Sequence, residues 1–170
     1  MKARGSSLGA VCSLIASFAI LLPSATESLA ELQARFDRET NGVHKAKLIE
    51  KLGDAQLEEA RRAGKAGDYD TVGTTLEKYR DNVRAAVEAL KKQHPDAEKQ
   101  SNGYRQLEMH VRKGIREVDE TLLVSPEAYR PPLQIVRQDL IGTDGELLKM
   151  LFPHRPAERR APTPPAEKQP

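Results

Sequence analysis

Histidines at positions 44, 94, 110 and 154 are the only imidazoles among 170 residues, and catalysis or metal binding would have to start from them. A helix holds a metal with ligands spaced i, i+3 or i+4, as in H-E-x-x-H. No two of these histidines have that spacing. His94 and Glu98 are four apart, but Pro95 lies between them and sets them across a helix boundary. Glu108, His110 and Glu117 share one predicted helix. There His110, three residues after Leu107, falls at the edge of an apolar stripe while Glu108 points elsewhere. The expectation is ordinary, partly exposed helix histidines with no metal and no cofactor. No Gly-x-Ser-x-Gly elbow is present, and no glycine-rich phosphate loop follows a strand. Carboxylates are too numerous for any pair to stand out. No catalytic residue is nominated, and the chain reads as a non-enzyme.

Two basic clusters come next. Arg61, Arg62 and Lys65 close a predicted helix, where positive charge complements the helix dipole. Arg112, Lys113 and Arg116 lie on the outer surface of a later helix and could meet an anionic lipid or an acidic partner. Glu108, Glu117, Asp119 and Glu120 surround them, so a balanced, solvated face is the plainer reading.

The first thirty residues look like a leader. Lys2 and Arg4 precede an uncharged apolar run from Leu8 to Leu22, Pro23 ends it, and Ser28-Leu29-Ala30 supplies small residues at the two inspected positions. A permanent span needs roughly 20 apolar residues, so this run is short for an anchor. Cleavage is expected after Ala30, with export to the periplasm or beyond. Cys12, the single cysteine, lies inside the leader, so disulfides and thiolate chemistry are not expected in the mature chain. Lys2, Arg4 and Glu27 leave with the leader, which turns 27 basic and 25 acidic residues into 25 and 24. Nucleic-acid binding shows as a strong clustered excess of positive charge, and this balance argues against it.

The elements that would position any site are all helices. Residues 31–40 form a short one with Leu32 and Phe36 a turn apart, and Asn41-Gly42 interrupts it. A second helix runs over about 43–63, with Gly53 as a weak spot. Asp68 caps a third, along which Tyr69, Val72, Leu76, Tyr79, Val83, Val87 and Leu90 form one stripe. His94-Pro95 ends it, and Pro95 suits the first turn of a fourth helix bearing Tyr104, Leu107, Val111, Ile115, Val118 and Leu122. The 102–103 Asn-Gly pair could delay that start. These two stripes are expected to pack antiparallel as the centre of the fold. Ser125-Pro126-Glu127 opens a short helical piece, and Pro131-Pro132 predicts an extended lead into a fifth helix over Leu133 to Ile141. Thr143-Asp144-Gly145-Glu146 has the spacing of a capping box, so residues 133–152 could be two helices or one kinked one. From 153 to 170 the chain is proline-rich and polar, and a disordered tail is expected. The prediction is an all-α, compact antiparallel bundle of five or six helices over 31–152.

Lys65-Ala66-Gly67-Asp68-Tyr69-Asp70-Thr71-Val72 resembles the helix–turn–helix junction of tetratricopeptide repeats, with Val72 where a small alanine usually sits. Such arrays repeat every 34 residues, and residues 101–106, SNGYRQ, do not reproduce the turn. The hairpin, with Leu76-Glu77-Lys78-Tyr79, also resembles exported helical bacterial domains without assigned activity. That likeness implies compartment and fold but no chemistry. The resulting expectation is a protein-binding or scaffolding module of the cell envelope. Its partner would sit near Tyr69, Tyr79 and Tyr104 and the basic residues Arg112, Lys113 and Arg116. A peripheral protein of anionic membranes is the alternative.

Overall fold

The computed structural model describes residues 27–153, so the apolar leader core, His154 and all but the first residue of the proline-rich tail lie outside the described part. Within it are five α-helices and no strand: α1 (Leu29–Arg38), α2 (Gly42–Ala66), α3 (Tyr69–Gln93), α4 (Ser101–Val124) and α5 (Arg130–Leu151). A single 3₁₀ turn, Glu127–Tyr129, precedes α5. The all-α bundle follows from the three- and four-residue apolar spacing, and the stripe residues of α3 from Val72 to Leu90 are essentially fully buried. Each such side chain is worth roughly 1.5–3 kcal/mol of transfer free energy, most of it offset by chain entropy.

Cross-helix pairs give the topology. α2 runs antiparallel to α3, since Gly42 abuts Ala89 and Gly64 abuts Val72. α4 runs antiparallel to α5, because Arg137 pairs with Asp119 and Arg112 with Asp144. α2 and α4 are parallel, joined by Arg61–Glu117 and by Lys113–Asp54. α3 and α5 are also parallel, joined by Arg80–Asp139 and Lys91–Glu146. Around the bundle the order is therefore α2, α3, α5, α4. Helices α2 and α5 occupy one diagonal and do not touch. The two central stripes of α3 and α4 are antiparallel as expected, but they too lie on a diagonal, and the main partner of α3 is α2. They meet where α4 has no side chain: Gly103 faces Leu90 and Gly114 faces Tyr79. Helix α1 covers one edge, burying Leu32 and Phe36, with Lys45 Nζ 4.6 Å above the Phe36 ring centre.

Several boundaries differ from the sequence reading for local reasons. α1 begins two residues early, because Ser28 and Glu31 form a reciprocal capping box. The expected cleavage point after Ala30 thus falls inside this helix. Asn41 caps α2 through the His44 amide, and Gly42 is its first residue. Gly67, at φ 78°, closes α2, and Asp68 accepts from the Thr71 amide to start α3. Pro95 does not open α4. Asp96 holds a separate turn through the Lys99 amide at 3.2 Å, and α4 starts only at Ser101. Pro131 and Pro132 are not an extended lead but lie within the first turn of α5, where absent amide hydrogens cost nothing. Residues 130–151 form one helix, since the Thr143 hydroxyl donates back to the Asp139 carbonyl at 2.9 Å instead of capping a new start.

Candidate functional site

Tyr79 and His110 form the centre of the polar interior. Tyr79 sits midway along α3 with no exposed surface, and His110, on the facing turn of α4, is 7 % exposed. Both aromatic rings fit because two glycines make room: Gly53 of α2 lies against the imidazole and Gly114 of α4 against the phenol. Gly53, a weak spot by helix propensity, is here a packing requirement. The Tyr79 hydroxyl lies 2.9 Å from the His110 carbonyl oxygen and 2.9 Å from its Nδ1. On the other edge of the ring, Nε2 lies 3.0 Å from Asp54 Oδ1 of α2. The same oxygen accepts from Lys113 Nζ at 2.8 Å. A three-helix chain thus runs from the core to the surface: Tyr79, His110, Asp54, Lys113.

The environment sets the charge states. Burial pushes the His110 imidazole below the usual histidine range, against the pull of Asp54. Lys113 and His110 together hold the Asp54 carboxyl below its ordinary value despite partial desolvation. Burial raises the Tyr79 phenol well above its ordinary value, with Asp54 adding to the effect. An open pocket of about 270 Å³ lies over the polar end, lined by Glu50, Asp54, Gln106, Met109, His110 and Lys113. His110 is therefore a buried, doubly partnered group, whereas the sequence suggested a partly exposed one. Helical spacing alone placed it at the stripe edge, and what buries it is the gap above Gly53, visible only once α2 and α4 are side by side. Glu108 is also buried, and it accepts from Arg112 Nε at 2.6 Å.

A second buried polar group ties α1, α2 and α3. The Gln33 and Asn82 amides pair reciprocally at 3.1 and 2.8 Å, and Asn82 also donates to Gln56 at 3.3 Å. Among the described residues no buried side-chain nitrogen or oxygen lacks a partner, and no cluster of three potential metal ligands occurs.

The six residues expected at a partner surface separate in the structure. Tyr79 and Tyr104 are fully buried, Tyr104 donating to the His94 carbonyl at 2.6 Å. Tyr69 keeps a partly exposed ring at the start of α3. Its hydroxyl lies 3.3 Å from the Val124 carbonyl, and its ring centre is 5.4 Å from that of Tyr129. Beside it, at the end of α4, Leu123 is 81 % exposed and Val124 71 % exposed. This apolar corner was not singled out from the sequence, because Leu122, Leu123 and Val124 read as one continuous run. Of the basic residues, Arg112 is held between Glu108 and Asp144 and Lys113 by Asp54. Arg116 is exposed and has no ion-pair partner among the described residues. His44 is exposed beside Glu39 and His94 ends α3, so the histidines at 44, 94 and 110 do not converge. Among the described residues, no helix is long and apolar enough to cross a membrane. No known protein family, curated protein or solved structure matches the chain.

Proposed function

We propose that this chain is a non-catalytic, exported helical module that binds another protein through its apolar corner at Leu123, Val124 and the Tyr69–Tyr129 pair. The observation that carries this reading is the exposure of two adjacent large aliphatic side chains next to a tyrosine pair. Tyrosine is enriched at interface centres, and the buried core of an interface is more apolar than the surface around it. The corner is anchored by helix ends and by the Tyr69–Val124 contact, so a partner would meet a preformed surface. A protein segment presenting apolar side chains is the matching chemistry.

Two further observations support a binding role over the alternatives. The hydroxyl beside His110 Nδ1 is that of Tyr79, which has no exposed surface, so the one arrangement among the described residues that resembles a base next to a nucleophile is closed to a substrate. Arg112 and Lys113 are already neutralised by Asp144, Glu108 and Asp54, which weakens the case for an anionic membrane surface.

The test is in-cell crosslinking of the tagged protein followed by mass spectrometry, comparing wild type with L123D/V124D. Both side chains are exposed, so the variant should fold with an unchanged melting temperature. One specific partner captured by wild type and lost by the variant would uphold the reading. Capture that is indifferent to the substitution, or no enriched protein at all, would overturn it.

A further inference from the structure

We propose that the cleft between α1 and the N-terminal half of α2 is a binding site for a phosphomonoester dianion, held by Arg35, Lys47 and Lys51. The site stands apart from the apolar corner. Gly42, which opens α2, packs against Ala89 near the end of α3, whereas the corner gathers at the start of α3.

A cavity of about 370 Å³ opens in this cleft, lined by Arg35, Glu39, His44, Lys47, Leu48 and Lys51. The four α2 residues recur at three- and four-residue spacing and so share one face of the helix, while Arg35 and Glu39 lie one turn apart at the end of α1. The cleft is preformed. Leu32 and Phe36 are buried against the bundle, Gln33 is tied to Asn82 of α3, and Lys45 Nζ donates to the Glu39 carbonyl at 3.1 Å.

The charge lining the cleft is left uncompensated by the fold. Lys47 and Lys51 stand at i, i+4, a spacing at which like charges repel. Neither has an ion-pair partner among the described residues, although each has a carboxylate three residues on. Glu50 instead lines the pocket over His110, and Asp54 pairs with Lys113. Arg35 has Glu27, which approaches at 3.6 Å from outside the cavity lining. The basic residues of α4 differ in this respect, since Arg112 lies between Glu108 and Asp144. Glu39, the one acid of the cleft, is engaged at the end of its own helix. One carboxylate oxygen accepts from the Asn41 amide at 2.8 Å, which holds the carboxyl below its usual range, and the other lies 3.7 Å from His44 Nδ1.

Three cations less one carboxylate leave two positive charges in the lining. A phosphomonoester carries about two negative charges above its second ionisation at about pH 6, and it offers three acceptor oxygens, one for each of the three cations. A carboxylate ligand supplies neither the second charge nor the third oxygen. The volume is that of a small-ligand pocket and leaves room for an organic group beside the phosphate, against the aliphatic side chain of Leu48. A soluble phosphate ester and a lipid headgroup present the same chemistry to these residues.

The test is an NMR titration of the purified protein with inorganic phosphate and with glycerol 3-phosphate, beside sedimentation with phosphatidylcholine vesicles that contain or lack phosphatidic acid. Amides of residues 35–39 and 44–51 should shift and saturate with a Kd of about 1 mM or tighter at low salt. K47Q/K51Q removes two exposed, mutually repelling charges, so its melting temperature should hold or rise while phosphate affinity falls about tenfold or more. R105Q/R116Q removes two exposed cations of α4, changes the net charge equally and should leave the affinity unchanged. E27Q releases Arg35 and should tighten binding about twofold. Saturable binding of the soluble phosphates upholds the site with a soluble ester as ligand. Binding confined to phosphatidic acid vesicles and lost in K47Q/K51Q upholds it with a lipid headgroup. Absence of both, or equal losses in K47Q/K51Q and R105Q/R116Q, would overturn the proposal.

Discussion

Gly114 lies directly under the Tyr79 ring: a Cβ on this glycine would come within 2.5 Å of both the phenol oxygen and the nearest ring carbon. The ring is fully buried and hydrogen-bonded to His110, so it has nowhere to move. Gly114→Ala should therefore destabilise the protein by about 1–3 kcal/mol of overpacking, less the gain of up to about 1 kcal/mol that alanine brings in a helix. Gly142 and Gly145 of α5 face open space. Alanine at either should stabilise by roughly 0.5–1 kcal/mol. Thermal or urea melts of the three variants check this, and equal effects at 114 and 142 would contradict the packing account.

Tyr79 and Tyr104 share full burial of the ring but differ in what their hydroxyls support. The Tyr79 oxygen serves two groups of His110 in the interior, whereas Tyr104 caps the His94 carbonyl near the surface, where water can replace it. Tyr79→Phe should cost about 1–3 kcal/mol, and Tyr104→Phe about 0.5–1.5 kcal/mol. Denaturant midpoints at pH 7 give the comparison.

These differences mark what the sequence could disclose. The stripes of α3 and α4, the Gly67–Asp68 junction and the all-helical class are periodic or local signals, and they are read directly from residue spacing. The Asp54–His110–Tyr79 chain is not local: its members are 25 and 31 residues apart and meet only because Gly53 and Gly114 let three helices close in. Gly53 and Gly145 look alike in sequence as breaks, yet one is a contact and the other a half-buried helical residue with space beside it. Pro131 and Pro132 are similarly ambiguous, since an extended lead and a first helical turn both tolerate them. The apolar corner was hidden because half-buried Leu122 and the exposed Leu123 and Val124 follow one another in a single apolar run.

Asp139 links α3 to α5 through Arg80 and Arg84, at 3.4 and 3.2 Å. The Arg80 side chain is only 19 % exposed, and without Asp139 it keeps Asp81 alone. Asp139→Ala should lower stability by about 1 kcal/mol. Glu58→Ala should fall within about 0.5 kcal/mol, because Arg61 retains its two-point contact with Glu117. The effect of Asp139→Ala should also diminish less with added salt than that of the exposed pair.

Ser28 and Glu31 bear on where the folded chain must begin. The Ser28 side chain accepts from the Glu31 amide at 3.2 Å, and the Glu31 carboxylate accepts from the Ser28 amide at 2.8 Å. The Ser28 amide and the Ser28 hydroxyl, both donating to the Glu31 carboxylate, hold it below its usual range. A chain starting at Glu31 has neither contact and places a charged amino group at the first turn, whose positive dipole end it opposes. Leu32 and Phe36 remain buried, so α1 should stay docked while its first turn frays. Hydrogen exchange at residues 32–35 should accordingly be faster in protein beginning at 31 than in protein beginning at 28, with the rest of the bundle unchanged. Equal exchange in the two forms would mean that packing of Phe36 alone sets the start of α1. N-terminal sequencing of the protein from its own cell would then show which of the two forms exists.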